Sequence, residues 1–203
     1  MRGMLRFGLH EAIAVTSSDL GQPHAAAMGV RAVGDGLALY PYVTTRTYKN
    51  LKTGSPVSLA FTHDSLTFCD VVLNPQKLRF RSGRNEGVYV IDADVDVYVE
   101  AMPREVVDGS PRATVLLRVL DVYPGRGGYF PYSRANSMLI ELLVYFTKIR
   151  ALSAAGDPRR GEVLELLKPL NYAASLVRRL GSGELVRCVD RVYEELRSLG
   201  ISP

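Results

Sequence analysis

The sequence predicts an α+β fold: a small antiparallel β-barrel followed by a C-terminal helical bundle. Three observations carry this. Up to Val122 the apolar residues alternate with polar ones at the period of two that a half-buried strand imposes. From Met138 onward they fall instead at three- and four-residue steps, the spacing of one helix face. Short turn clusters separate the strand-like runs, with one central helix and no parallel crossovers. The expected layout is a barrel over residues ~10–123 and helices over ~133–200. The composition shift at Pro124-Gly125-Arg126-Gly127-Gly128 sets the domains at 1–125 and 129–203.

Residues 11–16 form the first strand, and Gly21, Gln22 and Pro23 help supply the reversal after it. Residues 24–30 resume extended structure with small side chains, Ala25, Ala26, Ala27 and Gly29 among them. Such a strand lets another backbone or a flat ligand approach closely, and a tightly packed barrel strand is the alternative. Gly34-Asp35-Gly36 is a hairpin turn leading into a strand over 37–43. Pro41 cannot donate to a ladder, so that strand either lies at an edge or breaks there. Val57, Leu59 and Phe61 mark a half-buried strand, and residues 65–73 a short helix capped by Asp64 or Ser65. The regular alternation over 91–99 reads as one strand with Asp92, Asp94 and Asp96 on one face. Same-face neighbours stand ~7 Å apart, too far for a small cation without further ligands, so a solvated face is expected. Residues 106–111 mark a turn, and 114–122 the last strand. In the C-terminal third, Gly156-Asp157-Pro158 ends one helix and starts the next, Pro169 should bend or interrupt the second, and Leu185, Val189, Val192 and Leu196 line the last.

With 203 residues, 47% hydrophobic and 23% charged, the chain can bury its own core, and wholesale disorder is excluded. The net charge of +4 suits an anionic ligand or nucleic acid. No run approaches the ~18 apolar residues of a membrane span, and residues 1–10 lack a signal-peptide core, so a cytoplasmic protein is expected. The two cysteines show no metal-ligand spacing and only three histidines accompany them, which argues against zinc. Cys69 and Cys188 read as reduced packing residues, with a disulfide as the alternative.

The chemically richest stretch is 42–52. Thr44, Thr45, Arg46, Thr47, Tyr48, Lys49 and Asn50 offer hydroxyls, a guanidinium, an ammonium and an amide within seven residues. A phosphate presents three strong acceptor oxygens, which short hydroxyls, backbone N–H groups, an Arg fork and a Lys point charge satisfy. A helical turn opening at Thr47 would add free amides. The alternative is a polar basic turn joining two strands.

Four blocks in order resemble an archaeal family of FMN-binding split-barrel proteins catalogued as a domain of unknown function (DUF447-like). They are residues 21–30; Thr44-Thr45-Arg46-Thr47-Tyr48-Lys49-Asn50-Leu51; Phe61-Thr62-His63-Asp64 with Phe68; and Ser133-Arg134-Ala135-Asn136 with Ile140-Glu141. His24 and Phe61 stand where that family usually has asparagine. The resemblance implies a split β-barrel of the FMN-binding type related to flavin reductases and pyridoxamine-phosphate oxidases, and a homodimer holding FMN near its interface. It implies that Thr44, Thr45, Arg46 and Thr47 hold the phosphate, with Lys49 and Asn50 in support. The backbone of Ala27, Met28 and Gly29 would lie along the flavin ring. The first expectation is therefore an FMN-dependent oxidoreductase, flavin reductase-like, using NAD(P)H or a small-molecule substrate. A flavin carrier or sensor without turnover is the second. Nucleic-acid binding through Arg79, Arg81, Arg84, Arg46, Lys49 and Lys52 is the third, disfavoured because few aromatics accompany those charges.

Overall fold

The computed structural model describes residues 8–127, 133–154 and 160–202. They divide into two compact units. One holds 8–63 and 75–127; the other holds 64–74 together with the described residues from 133 onward.

In the first unit, β1 (Leu9–Ser17), β2 (Pro23–Val33), β3 (Gly36–Leu39), β4 (Val57–Phe61), β7 (Val97–Val107) and β8 (Thr114–Pro124) close an antiparallel barrel in the order β1-β2-β3-β8-β7-β4. Val33 pairs with Gly36 across the expected hairpin, where Gly34 takes a φ of +59° that suits glycine. Alternate residues such as Ala12, Ala14, Val30, Leu37, Leu59 and Val99 fill the interior. The small alanines of β1 leave room for larger side chains on facing strands. Helix α1 (Arg46–Lys52) adds Leu51, fully buried, to the same cluster.

Two expected strands come out shorter. The strand of 37–43 breaks at Leu39; Pro41 follows, and only the bridge Tyr42↔Arg112 continues it. The strand of 91–99 is two pieces. β6 (Tyr89–Ile91) pairs with β5 (Phe80–Ser82) as a separate two-stranded sheet, and β7 begins at Val97. The acidic residues between them turn toward Arg126 and His63 instead of sharing one pleated face. Asp92 lies 2.7 Å and Asp94 3.6 Å from Arg126, and Asp96 lies 2.9 Å from His63. Among the described residues no cluster of acidic, histidine or cysteine side chains has the makings of a metal site.

The second unit joins α2 (Ser65–Leu73) to α3 (Arg134–Ala154), α4 (Arg160–Leu180) and α5 (Gly183–Ser198). Asp64 caps α2, accepting from the Leu66 N–H at 3.0 Å and the Thr67 hydroxyl at 2.7 Å. The apolar faces expected from the spacing meet here, with Phe68, Leu139, Leu142, Phe146, Ile149 and Val189 buried. Cys69 and Cys188 are not reduced: a disulfide ties α2 to α5 across 119 residues. Burial of both sites within one helical cluster is what lets two such distant cysteines meet. Ser65 donates to Asn136 at 2.5 Å and Arg191 to Asn74, fixing both ends of α2. Helix α4 continues through Pro169, because the buried face of Val163, Leu167, Leu170, Ala174 and Val177 offsets the lost backbone bond. The break expected at Gly156-Asp157-Pro158 lies outside the described residues. Among the described residues, no helix is long and apolar enough to cross a membrane.

Candidate anion-binding site

Where β3 breaks, the chain turns and Thr45 caps α1. Its hydroxyl donates to the Tyr42 carbonyl at 2.7 Å and accepts from the Tyr48 N–H at 3.3 Å. Helical spacing then sorts the next residues. Thr47, Asn50 and Leu51 share the face turned to the barrel and are buried, while Arg46 and Lys49 stay exposed. Asn50 donates to the Thr16 hydroxyl at 2.9 Å, tying α1 to the end of β1. Neither Arg46 nor Lys49 has an ion pair among the described residues. Thr47 is 1% exposed, yet its hydroxyl has no hydrogen-bond partner among them. A buried, unsatisfied hydroxyl costs about 1–3 kcal/mol, so an incoming acceptor would relieve a standing penalty. The amides of Arg46 and Thr47 open the helix and have no intrahelical acceptor.

Strand β2 supplies the facing wall. Its ladder with β1 runs from Pro23 to Arg31, but its ladder with β3 stops at Val30↔Leu39. Residues 24–29 therefore carry an edge on the β3 side with no main-chain partner among the described residues. His24, opposite Thr16 in the register, sits at the end of this edge. Burial first, and then the Arg46 guanidinium, hold its imidazole below the ordinary value, so it is uncharged at neutral pH. Of the three β2 residues singled out in the sequence, Ala27 is half-buried and Met28 packs against the barrel core. Gly29 faces Leu9: a Cβ there would lie 3.1 Å from the leucine side chain.

Sequence reasoning missed the groups that hold this loop from outside. Tyr48 donates to Asp108 at 2.6 Å, and Lys52 to Asp108 at 2.7 Å and to the Tyr48 hydroxyl at 2.9 Å. These hydrogen bonds, Lys52 first and then Tyr48, hold the Asp108 carboxyl below the usual range. Lys52 is thus committed to Asp108. No local signal could have shown this, since the partner lies 56 residues away.

The second basic stretch is committed throughout its two central arginines. Arg81 lies 5.3 Å from the Tyr98 ring and 3.9 Å from Asp92; Arg84 lies 4.0 Å from the Tyr123 ring and 3.3 Å from Asp121. Beneath them Glu100, fully buried, accepts from the amides of Arg84 and Asn85, the Asn85 side chain and the Tyr123 hydroxyl, at 2.6–2.8 Å.

The antiparallel barrel thus sets a β2 edge without a main-chain partner among the described residues beside a threonine-rich, cationic turn. Residues 10–122 match the family described as protein of unknown function (DUF447), N-terminal domain, and the chain belongs to that family. Its fold is similar to a crystal structure of an FMN-bound DUF447 protein from Methanosarcina mazei, with a TM-score of 0.75 at 17% identity, covering 94% of this chain and 96% of that one. A flavin reductase complexed with NADP+ is similar at a TM-score of 0.52 and 16% identity, over 64% of this chain and 88% of that one. A flavin reductase domain protein from an Arthrobacter species reaches 0.51 at 12% identity, over 65% and 94%. A search of curated proteins finds no match to the sequence.

Proposed function

We propose that this protein binds FMN and is a flavin-dependent oxidoreductase of the flavin-reductase type, working as a cytoplasmic homodimer on a small molecule. The observation that carries the reading is the Thr47 hydroxyl, buried and without a partner among the described residues, beside an arginine that none of their carboxylates neutralises. The donor set fits the phosphate end of FMN: hydroxyls of Thr44 and Thr47, the Arg46 fork, first-turn amides, and Lys49 as a point charge. Thr45 shapes the turn through its capping bonds, and Asn50 anchors α1 to Thr16. The open edge at Ala27, Met28 and Gly29 offers main-chain groups and little side-chain bulk to a flat ring. The uncharged His24 adds no field of its own to that of Arg46. When bound, the flavin supplies the redox chemistry, and the protein's part is position, electrostatics and exclusion of water. NAD(P)H is the proposed electron donor, in line with the NADP+ held by a reductase of similar fold.

The test is direct. Purified protein should carry or take up FMN with a flavin absorption band, sediment as a dimer at micromolar concentration, and oxidise NAD(P)H in the presence of the flavin. Colourless protein that takes up no FMN at micromolar concentration would end this reading. Uptake of FMN without NAD(P)H oxidation would leave a carrier.

A further inference from the structure

We infer that the turn between β7 and β8 is a clamp that holds the phosphate loop in its binding shape, and that Asp108 is a positioning residue of the flavin site. The inference rests on the FMN reading above. Three sets of bonds carry it. At the start of the loop, the Val43 N–H donates to the Pro111 carbonyl at 3.1 Å and the Ala113 N–H to the Pro41 carbonyl at 3.0 Å. In the same place Arg112 lies 4.2 Å from the Tyr42 ring and donates to its hydroxyl at 2.8 Å. At the far end, Asp108 takes Tyr48 and Lys52, one turn apart on α1. Between these two anchorages lie Thr44, Thr45, Arg46 and Thr47.

The loop needs such support. β3 ends at Leu39, so residues 40–45 have no strand ladder, and a helix of seven residues is unstable alone. The Tyr42 carbonyl that Arg112 and its turn hold in place is the acceptor for both the Thr45 amide, at 3.0 Å, and the Thr45 hydroxyl, at 2.7 Å. A shift of the β7–β8 turn therefore moves the cap of α1. Phosphate affinity depends on several donors converging, so loss of position lowers it without removing a donor.

The alternative is that Asp108 is only a surface carboxylate, and the two ideas give opposite signs. Removing Asp108 deletes a negative charge and releases Lys52, one turn from Lys49. By electrostatics alone, FMN should then bind more tightly. The clamp makes it bind more weakly. The experiment compares FMN and riboflavin affinities, by fluorescence titration, for wild type, Asp108→Ala, Asp108→Asn and Arg46→Ala, with melting temperatures alongside. For Asp108→Ala the expected loss in FMN affinity is about tenfold, the size of one hydrogen bond to a charged group. Riboflavin, which lacks the phosphate, should stay within about twofold by the same scale. Asp108→Asn keeps an acceptor for Tyr48, so it should recover part of the loss; it also carries the test should the alanine variant not fold. Unchanged or tighter FMN binding in the folded variant, or equal losses for both flavins, would overturn the clamp. A split seen with Arg46→Ala and absent with Asp108→Ala removes the clamp alone. Wild-type protein that does not bind FMN removes the flavin reading and the clamp with it.

Discussion

Two basic turns of the barrel unit, over residues 44–52 and 79–85, resemble one another in composition and differ in what their charges do. In the second, Arg81 and Arg84 lie against tyrosine rings and face Asp92 and Asp121, while the loop amides converge on the buried Glu100. That turn already binds an anion, and the anion is its own glutamate. In the first turn, Lys52 is taken by Asp108, but among the described residues Arg46 and Lys49 have no acid and the Thr47 hydroxyl has no hydrogen-bond partner. Availability of donors, decided by partners distant in sequence, separates the proposed binding loop from the structural one. Net charge does not.

The largest effect should come from the structural turn. Glu100→Ala strands two amides, Asn85 and the Tyr123 hydroxyl, and should cost about 3–5 kcal/mol of stability in chemical denaturation. A loss below about 1 kcal/mol would mean that water replaces the carboxylate with ease. Burial works to raise the Glu100 pKa, and the bonds from Tyr123, Arg84 and Asn85 outweigh it, leaving the carboxyl below the usual range. Its contribution is therefore complete above the unfolded carboxyl's value and is lost as pH falls through the folded one.

Next is Thr47→Val, which swaps the orphan hydroxyl for a methyl. FMN affinity should fall about tenfold, whereas the free protein should be unchanged or up to about 1 kcal/mol more stable. A destabilised free protein would show that the hydroxyl has a partner of its own.

His24 gives a smaller, pH-dependent effect. Its folded pKa lies below the unfolded value, so the unfolded chain takes up the proton first. Stability should fall as pH drops below about 6.5, level off below the folded value, and lose that slope in His24→Gln. A melting temperature with the same slope in both proteins would assign the acid sensitivity elsewhere. Smallest is Arg84→Ala, an exposed pair, expected to cost less than about 1 kcal/mol and to leave FMN affinity within twofold. A marked loss of FMN binding there would erase the distinction between the two turns.

The barrel, the capped α2, the C-terminal helices and the loop at 44–52 were legible because each rests on local signals: period two, period near 3.6, a cap, a turn dipeptide. The strand expected over 91–99 failed because alternation alone does not show that Asp92 and Asp94 turn toward Arg126. Pro169 misled because burial of one helix face outweighed a missing N–H. The disulfide, the Asp108 network and the Glu100 cluster join residues 15 to 119 positions apart, and no spacing rule reaches them. Likewise, the sequence names Thr47 as a hydroxyl near an arginine; only the fold buries it unpaired.

The central claim is that the turn at 44–47 holds a flavin phosphate, and Arg46→Ala tests it most directly. FMN and riboflavin are titrated into wild type and variant under one salt condition. Loss of a charge-assisted bond of roughly 1.5–3 kcal/mol should weaken FMN by one to two orders of magnitude, while riboflavin scarcely changes. Equal losses for the two flavins, or an FMN affinity untouched by the substitution, would contradict the account and leave the loop as a basic turn.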